Sequence, residues 1–278
     1  MEAESPKLRQ PPAAGVAGCI RLPKNWNPGE PERYRLSAAR LNAPKREPPS
    51  TPVHFWFRTR YVSALATDLS RLHPHVFKLQ IRPSVTAGWI QSCVRLLLPT
   101  AVQAWARAAF PEWFLPDTVV IKQEKRAADP EDQEVMEELF DNEIKAYDRL
   151  KPLQGEVIPA YHGRIRYYGR RALILQHLAG VSLASPEAAL LTAEELSTLL
   201  QPCYRALHAF GVHHDDPNLA NFQLVDGKLM VLDLESADFS VPQGRMEFFM
   251  ASCINRLVRY YLDMQACFRR DGDLEAAD

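Results

Sequence analysis

The chain has 278 residues, enough for one large domain or two modest ones with their own hydrophobic cores. With 46% hydrophobic and 24% charged residues, its composition is that of an ordinary globular protein. Its formal net charge of -1 gives no overall attraction to nucleic acid or acidic membranes, and its scattered cysteines, never in a CxxC spacing, argue against a disulfide framework or a zinc site. We expect an intracellular, cytoplasmic protein without a nucleic-acid or membrane partner.

The first half of the chain begins with a tail and continues with strand patterns. Residues 1–50 are rich in proline and lack apolar periodicity, which predicts a loosely ordered tail. Apolar and polar residues then alternate in VHFWFRTRYV and HVFKLQI, which is typical of strands. A helical pattern interrupted by Pro99 predicts an inserted helix at about residues 86–110, and PDTVVIK predicts a short buried strand.

The second half alternates between helical and hairpin patterns. EVMEELFDNEIKAYDRL keeps a helical period, and RIRYYGRRALILQHL predicts two strands joined at Gly169. A capping-box pattern at Thr192 and Glu195 predicts the start of the next helix. Asp226 and Gly227 predict a hairpin turn. A last helix is predicted over MEFFMASCINRLVRYYLDMQACF. This order, rich in strands first and in helices later, predicts an α+β fold in two parts.

Polar residues suited to phosphoryl transfer occur in GVHHDDPNLANFQLVDGKLMVLDLE, residues 211–235. Asp216 lies in a loop where a carboxylate could accept the proton of an attacking hydroxyl. The amide oxygen of Asn221, five residues later, and the carboxylate of Asp233, after the hairpin, are the hard oxygen ligands that Mg²⁺ prefers. Because the hairpin reverses the chain, Asp233 is expected to face Asn221.

These residues resemble motifs of protein kinases. HHDDPNLAN fits the catalytic-loop pattern H-x-D-x-x-x-x-N, with His214 as the residue that supports the loop. VLDLE stands where kinases carry D-F-G, so Asp233 matches whereas Leu234 and Glu235 depart from the pattern. Together with FLPDTVVIK and QGEVIPAYHG, the motifs look like a family of fungal protein-kinase-like proteins over about residues 111–238.

The same resemblance implies further site residues. TVVIK is similar to the strand of the phosphate-binding lysine, here Lys122, and the following helix offers Glu143 as its ion-pair partner. ALILQHLAG is similar to the strand and hinge that hold adenine. The nucleotide-binding set implied by the resemblance is Lys122, Leu175, Gln176, His177, Leu178, Asn221 and Asp233.

The resemblance implies a two-lobed protein-kinase-like fold and an ATP- and Mg²⁺-dependent activity. Residues 51–178 would form a β-rich N-lobe that holds the inserted helix, and residues 179–278 a short, mainly helical C-lobe. The catalytic residues would be Asp216, Lys122 and Glu143, and Asn221 and Asp233 would bind the metal. The γ-phosphate of ATP would pass to a hydroxyl group of a protein or a small molecule.

Other features depart from the kinase pattern and leave an alternative open. The only glycine between Gly29 and Gly155 is Gly88, so no glycine-rich loop precedes Lys122. Few residues follow Asp233, none spells A-P-E, and Glu235 replaces a glycine. The alternative is a catalytically inactive pseudokinase that acts as a nucleotide-binding or scaffold module. Taken singly, Lys122 also fits a solvated strand end, and residues 215–218 fit ordinary turn chemistry.

Overall fold

The computed structural model describes residues 33–44, 48–69 and 73–277, which contain thirteen strands and six α-helices. The strands are β1 (Tyr34–Leu36), β2 (Ser50–Phe57), β3 (Arg60–Asp68), β4 (Val76–Ile81), β5 (Thr118–Gln123), β6 (Tyr161–Tyr167), β7 (Arg170–Gln176), β8 (Val181–Ser182), β9 (His213–His214), β10 (Phe222–Val225), β11 (Lys228–Val231), β12 (Ala237–Asp238) and β13 (Leu274–Ala276). The helices are α1 (Ala38–Leu41), α2 (Val85–Leu97), α3 (Thr100–Ala109), α4 (Pro130–Arg149), α5 (Ala193–Ala209) and α6 (Met246–Arg270). The predicted α+β class is confirmed.

A six-stranded antiparallel sheet dominates the first half of the described chain. Its strand order is β2-β3-β4-β5-β7-β6, and β2 also contacts β6, so the sheet curls. Alternate side chains of these strands point to one face, where Phe57, Leu79, Ile121 and Ile174 form a buried cluster. Strand β5 lies in the interior of this sheet, between β4 and β7.

Helices α5 and α6 and the β10–β11 hairpin build a second buried cluster. Tyr204, Phe222 and Leu257 belong to this cluster, as do Phe140 and Tyr147 of α4. Helix α4 therefore packs between the sheet and the helical part. Strand β7 contributes Ile174 to the first cluster and Leu173 and Leu175 to the second, so the two clusters meet at this strand. The space beside it is where residues from both parts can converge.

Most local predictions are confirmed, with one hairpin missed. The turns at Gly169 and at Asp226–Gly227 adopt positive φ angles, and both hydrogen bonds of the capping box between Thr192 and Glu195 are present. VHFWFRTRYV is not one strand: the chain reverses after Phe57 to form the β2–β3 hairpin. Arg58 makes this turn with a φ of 50°, a conformation that is uncommon for arginine and that the sequence therefore does not predict.

The predicted tail and inserted helix differ from the structure in part. Within the tail of residues 1–50, residues 33–44 carry β1 and α1, and β1 pairs with β13 at the other end of the chain. Residues 1–32 and 45–47 lie outside the described residues. The inserted helix is a pair, α2 and α3, separated at Pro99. Among the described residues, no helix combines the length and the apolar character needed to cross a bilayer.

A buried histidine pair lies where α5 meets β9. His208 Nε2 and His213 Nδ1 are 3.0 Å apart, and His213 Nε2 lies 3.7 Å from the sulfur of Cys253. A hydrogen bond between two imidazole nitrogens requires one of them to be unprotonated. Burial, followed by the nearby His213, lowers the pKa of His208 to about 4. Burial also lowers the pKa of His213.

We expect acid to destabilise the fold through this pair. Unfolding releases His208 to its usual pKa of 6.5, so the unfolded chain binds more protons between pH 6.5 and about 4. The free energy of unfolding should therefore fall as the pH drops through this window, by at most about 1.4 kcal/mol per pH unit for one histidine. His208→Gln should have a shallower decline in urea unfolding at several pH values. The control Arg205→Gln, on the same helix, should keep the wild-type slope, and an unchanged slope in His208→Gln would contradict the assignment.

Candidate active site

Lys122 carries a buried ammonium group at the junction of the sheet and α4. It lies on β5, opposite Val76 of β4 and Leu173 of β7, and is 6% exposed. Its Nζ is 2.7 Å from Oε2 of Glu143, which α4 buries almost completely. This contact is an ion pair without good hydrogen-bond alignment, since neither carboxylate oxygen of Glu143 has a hydrogen-bond partner.

Two further acids reach Lys122 from the chain that follows β11. Asp233 Oδ1 accepts a hydrogen bond of 2.6 Å from Lys122 Nζ, and Glu235 Oε2 is 3.5 Å from the same nitrogen. Glu235 also pairs with Lys125. Asp233 has a φ of 53°, in the left-handed region, which directs the chain into a one-turn 3₁₀ helix at Leu234–Ser236. The Asn142 side chain of α4 fixes this turn by donating to the backbone carbonyls of Glu235 and Ala237, both at 2.8 Å.

The electrostatics of this cluster favour a charged lysine and a charged Asp233. Burial alone would lower the pKa of Lys122, but Glu143, Asp233 and Glu235 together raise it. Burial would raise the pKa of Asp233, yet Lys122 and then Lys125 bring it below its usual value. Burial raises the pKa of Glu143 in spite of the opposing effect of Lys122. Asp233 is therefore anionic at neutral pH.

The loop of residues 213–221 is held against the same turn. Strand β9 pairs with β12, and the buried ring of His214 donates from Nε2 to the backbone carbonyls of Leu232 and Asp233, at 3.2 and 3.1 Å. Asn221 Nδ2 donates to Oδ2 of Asp216 at 2.7 Å. The amide donor of Asn221 is thereby used by Asp216, which leaves the acceptor Oδ1 as the atom suited to a cation.

A cleft of about 440 Å³ joins these groups. Eight of the nine predicted site residues line it, and the ninth, Asp216, is hydrogen-bonded to Asn221 of the lining. The eight are Lys122, Glu143, Leu175, Gln176, His177, Leu178, Asn221 and Asp233. The side-chain Oε1 of Gln176 accepts from the backbone N–H of Ala160 at 3.0 Å, so this side chain holds the strand end in place. The volume lies in the range of small-molecule and cofactor sites.

The sequence interpretation missed several residues of this site. The kinase pattern identifies Glu235 only as a departure from glycine, although this acid lies two residues after Asp233 on the same tight turn. Lys125 follows the end of β5 and gave no periodic signal. His73 and His75 line the cleft from the β3–β4 connection, in the part of the chain before Lys122 that lacks a glycine-rich loop. Burial, followed by Lys122 and Lys125, lowers the pKa of His75 to about 4, so its ring is neutral at pH 7.

The charges around Lys122 do not balance. Three carboxyl groups, those of Glu143, Asp233 and Glu235, lie within 3.5 Å of the Lys122 ammonium, and Lys125 pairs with the last of them. The neutral His75 adds no positive charge. The site therefore has an excess of negative charge, which disfavours a free polyanion and favours a cation.

Comparison with known proteins gives no family for the chain. No family model matches it, and no curated protein has a similar sequence.

We expect Lys122→Met to destabilise the protein strongly. The substitution leaves the buried Glu143 without its counter-charge, and breaking a buried ion pair from one side typically costs about 3–5 kcal/mol. Because Glu143, with its raised pKa, can take up a proton instead, the defect should be larger at pH 8 than at pH 5. Urea unfolding at both pH values measures this. The control Lys228→Met, at an exposed position, should be nearly neutral, and an equally small effect at Lys122 would contradict the ion-pair account.

Proposed function

We propose that this chain is an ATP- and Mg²⁺-dependent phosphotransferase with a two-lobed protein-kinase-like fold. The observation that carries the proposal is the convergence of Lys122, Glu143, Asn221 and Asp233 at one cleft, from four separate segments of the chain. Each has the chemistry that phosphoryl transfer needs: a cation for phosphate, an acid that orients it, and two oxygen ligands for a metal. The acceptor would be a hydroxyl group of a protein or a small molecule.

The nucleotide base is assigned to the apolar side of the cleft. Val76 and Val120 line it from the sheet, and Leu232 lines it from the end of the β10–β11 hairpin. The segment from Leu175 to Leu178 forms its rim, which offers backbone polar groups beside an apolar surface. A planar heterocycle fits such a combination, since apolar walls supply burial and a few polar groups fix its orientation.

The metal is assigned to Asn221 and Asp233. Asp233 is anionic, and Lys122 engages its Oδ1, so Oδ2 is its second oxygen donor. Asn221 offers Oδ1, since its amide nitrogen already donates to Asp216. A hard oxygen donor set of this kind fits Mg²⁺. When bound, Mg²⁺ would neutralise phosphate charge and orient the γ-phosphate for transfer.

Asp216 is assigned the role of base. Its carboxylate would accept the proton of the acceptor hydroxyl as that oxygen forms a bond to the γ-phosphorus. The bond between the γ-phosphorus and the bridging oxygen breaks at the same time, and ADP leaves with the bonding electron pair. The hydrogen bond from Asn221 Nδ2 to Asp216 Oδ2 keeps base and metal ligand in one fixed arrangement.

The surplus of negative charge predicts that ATP binds only with its metal. Glu143, Asp233 and Glu235 neutralise Lys122 and Lys125, so a free triphosphate meets net repulsion. Adding Mg²⁺ and ATP at about 100 times Kd should stabilise the chain by roughly 2.7 kcal/mol, which raises the midpoint of thermal unfolding by a few degrees. ATP with EDTA should give no shift.

Two matched variants test this binding. Asp233→Asn should lose the Mg²⁺-dependent shift, whereas Asp226→Asn, in the β10–β11 turn, should retain it, because asparagine tolerates a positive φ there. Well-folded wild-type protein without any shift at millimolar ATP and Mg²⁺ would overturn the proposed function.

A nucleotide-binding scaffold without transfer is the second candidate. It is favoured by Glu235, which occupies the position of a conformationally free glycine and holds Lys125, and by the lack of a glycine-rich phosphate cover. The two candidates differ at Asp216. If the chain is an enzyme, Asp216→Asn should reduce ATP turnover by about 100-fold or more while it keeps the Mg²⁺–ATP thermal shift. If wild type and Asp216→Asn show the same residual turnover, the scaffold function is supported.

A further inference from the structure

The helical pair α2–α3 exposes large apolar side chains that no other described part of the chain covers. On α2, Val85, Trp89 and Leu96 are 88%, 73% and 75% exposed. With 3.6 residues per turn these three share one side of the helix, while the buried Ala87 lies on the opposite side. Helix α2 is therefore apolar on two sides, and only one of them packs against the protein.

The end of the helical pair is also free. Residues 95–102, which form the end of α2, the connection and the start of α3, are all exposed and include Leu97 and Leu98. Trp105 on α3 is 63% exposed. The base of the pair, in contrast, is fixed: Gln91 Nε2 donates to the carbonyl of Trp113 at 2.7 Å, and Arg58 donates to the carbonyl of Ala109 at 2.8 Å. A firmly attached base thus carries a leucine-rich tip into solvent.

All charged side chains of the segment that contains α2 and α3 are positive. Residues 82–111 contain no Asp or Glu, and their three charged side chains are Arg82, Arg95 and Arg107. All three are exposed, and none forms an ion pair with another described residue. Local charge within about 10 Å determines attraction to a charged surface, so the net charge of -1 for the whole chain does not oppose it.

We propose that α2–α3 is a peripheral anchor that binds an anionic phospholipid surface. The leucines of the tip would enter the boundary between headgroups and acyl chains, the tryptophans would lie at headgroup depth, and the arginines would pair with lipid phosphates. A helix that lies on a membrane needs no spanning length. The apolar residues are distributed over the outside of the pair and around its tip, and the charged residues among them are all arginines, a combination that suits an anionic fluid surface. This inference differs from the expectation that the chain has no membrane partner, and it is independent of the proposed function.

Vesicle flotation of the full chain tests the anchor. Vesicles of phosphatidylcholine alone are compared with vesicles that contain about one third phosphatidylserine. Wild type should float with the anionic vesicles, with a blue shift of tryptophan fluorescence. The double variant Leu96→Ser/Leu97→Ser should reduce the bound fraction about tenfold or more, and so should Arg95→Glu/Arg107→Glu. Because all four positions are exposed, the thermal unfolding midpoint should not change.

The matched control is Leu41→Ser, which removes an exposed leucine (66% exposed) outside the helical pair and should float like wild type. Failure of wild type to float, or undiminished flotation of the leucine double variant, would overturn the proposal. Equal flotation with both vesicle types would exclude the anionic headgroup as the ligand. A dimer in sedimentation velocity that is lost in the leucine double variant, without flotation of wild type, would instead identify the pair as a self-association surface.

Discussion

The arrangement of this protein depends on one buried ammonium group. Lys122 extends from a strand inside the sheet, Glu143 reaches it from α4, and Asp233 and Glu235 reach it from the turn after β11. These three segments are far apart in sequence, and each would bury an uncompensated charge without the others. A buried ion pair adds little net stability by itself, but its loss from one side is costly. The cluster therefore selects one relative placement of sheet, helix and loop.

The polar contacts around the cluster extend this constraint to the loop of residues 213–221. Asn142 fixes the turn after Asp233 through two backbone carbonyls, and His214 donates to two carbonyls on its other side. Asp216 and Asn221 are then tied together next to it. Lys122, Asp233 and the loop are thus positioned by partners from other segments, whereas Asp216 and Asn221 hold each other within the loop. The carboxylates of Glu143, Asp233 and Glu235 keep Lys122 charged.

The sequence predicted the turns and the helix cap that the preferences of individual residues determine. The turns at Gly169 and Asp226–Gly227 and the cap at Thr192 follow from residue types with strong conformational preferences, and the structure contains all three. The β2–β3 turn was missed because Arg58 has no such preference, and only strand pairing imposes its positive φ. The pairing of β1 with β13 joins the two ends of the described chain, and no local pattern announces a contact at that separation.

In the candidate site, too, the sequence predicted residues that a linear motif identifies and missed those that depend on contacts between distant segments. The resemblance to protein-kinase motifs identified, in chain order, Lys122, Glu143, Asp216, Asn221 and Asp233. The structure brings these residues together. The roles of Glu235 and Lys125 were not readable, because their pairing depends on how the turn after β11 meets the end of β5. The sequence likewise did not predict that the apolar surface of α2–α3 is exposed, since a helical period shows that an apolar side exists but not whether the fold covers it.

A double-mutant cycle between Lys122 and Asp233 tests most directly whether one ammonium group joins the sheet to the helical part. The free energies of unfolding of wild type, Lys122→Met, Asp233→Asn and the double variant are measured in urea at pH 7. The account predicts a coupling free energy of about 1 kcal/mol or more, with the double variant less destabilised than the sum of the single variants. Additivity within about 0.5 kcal/mol would show that the two residues are energetically independent and would contradict the account.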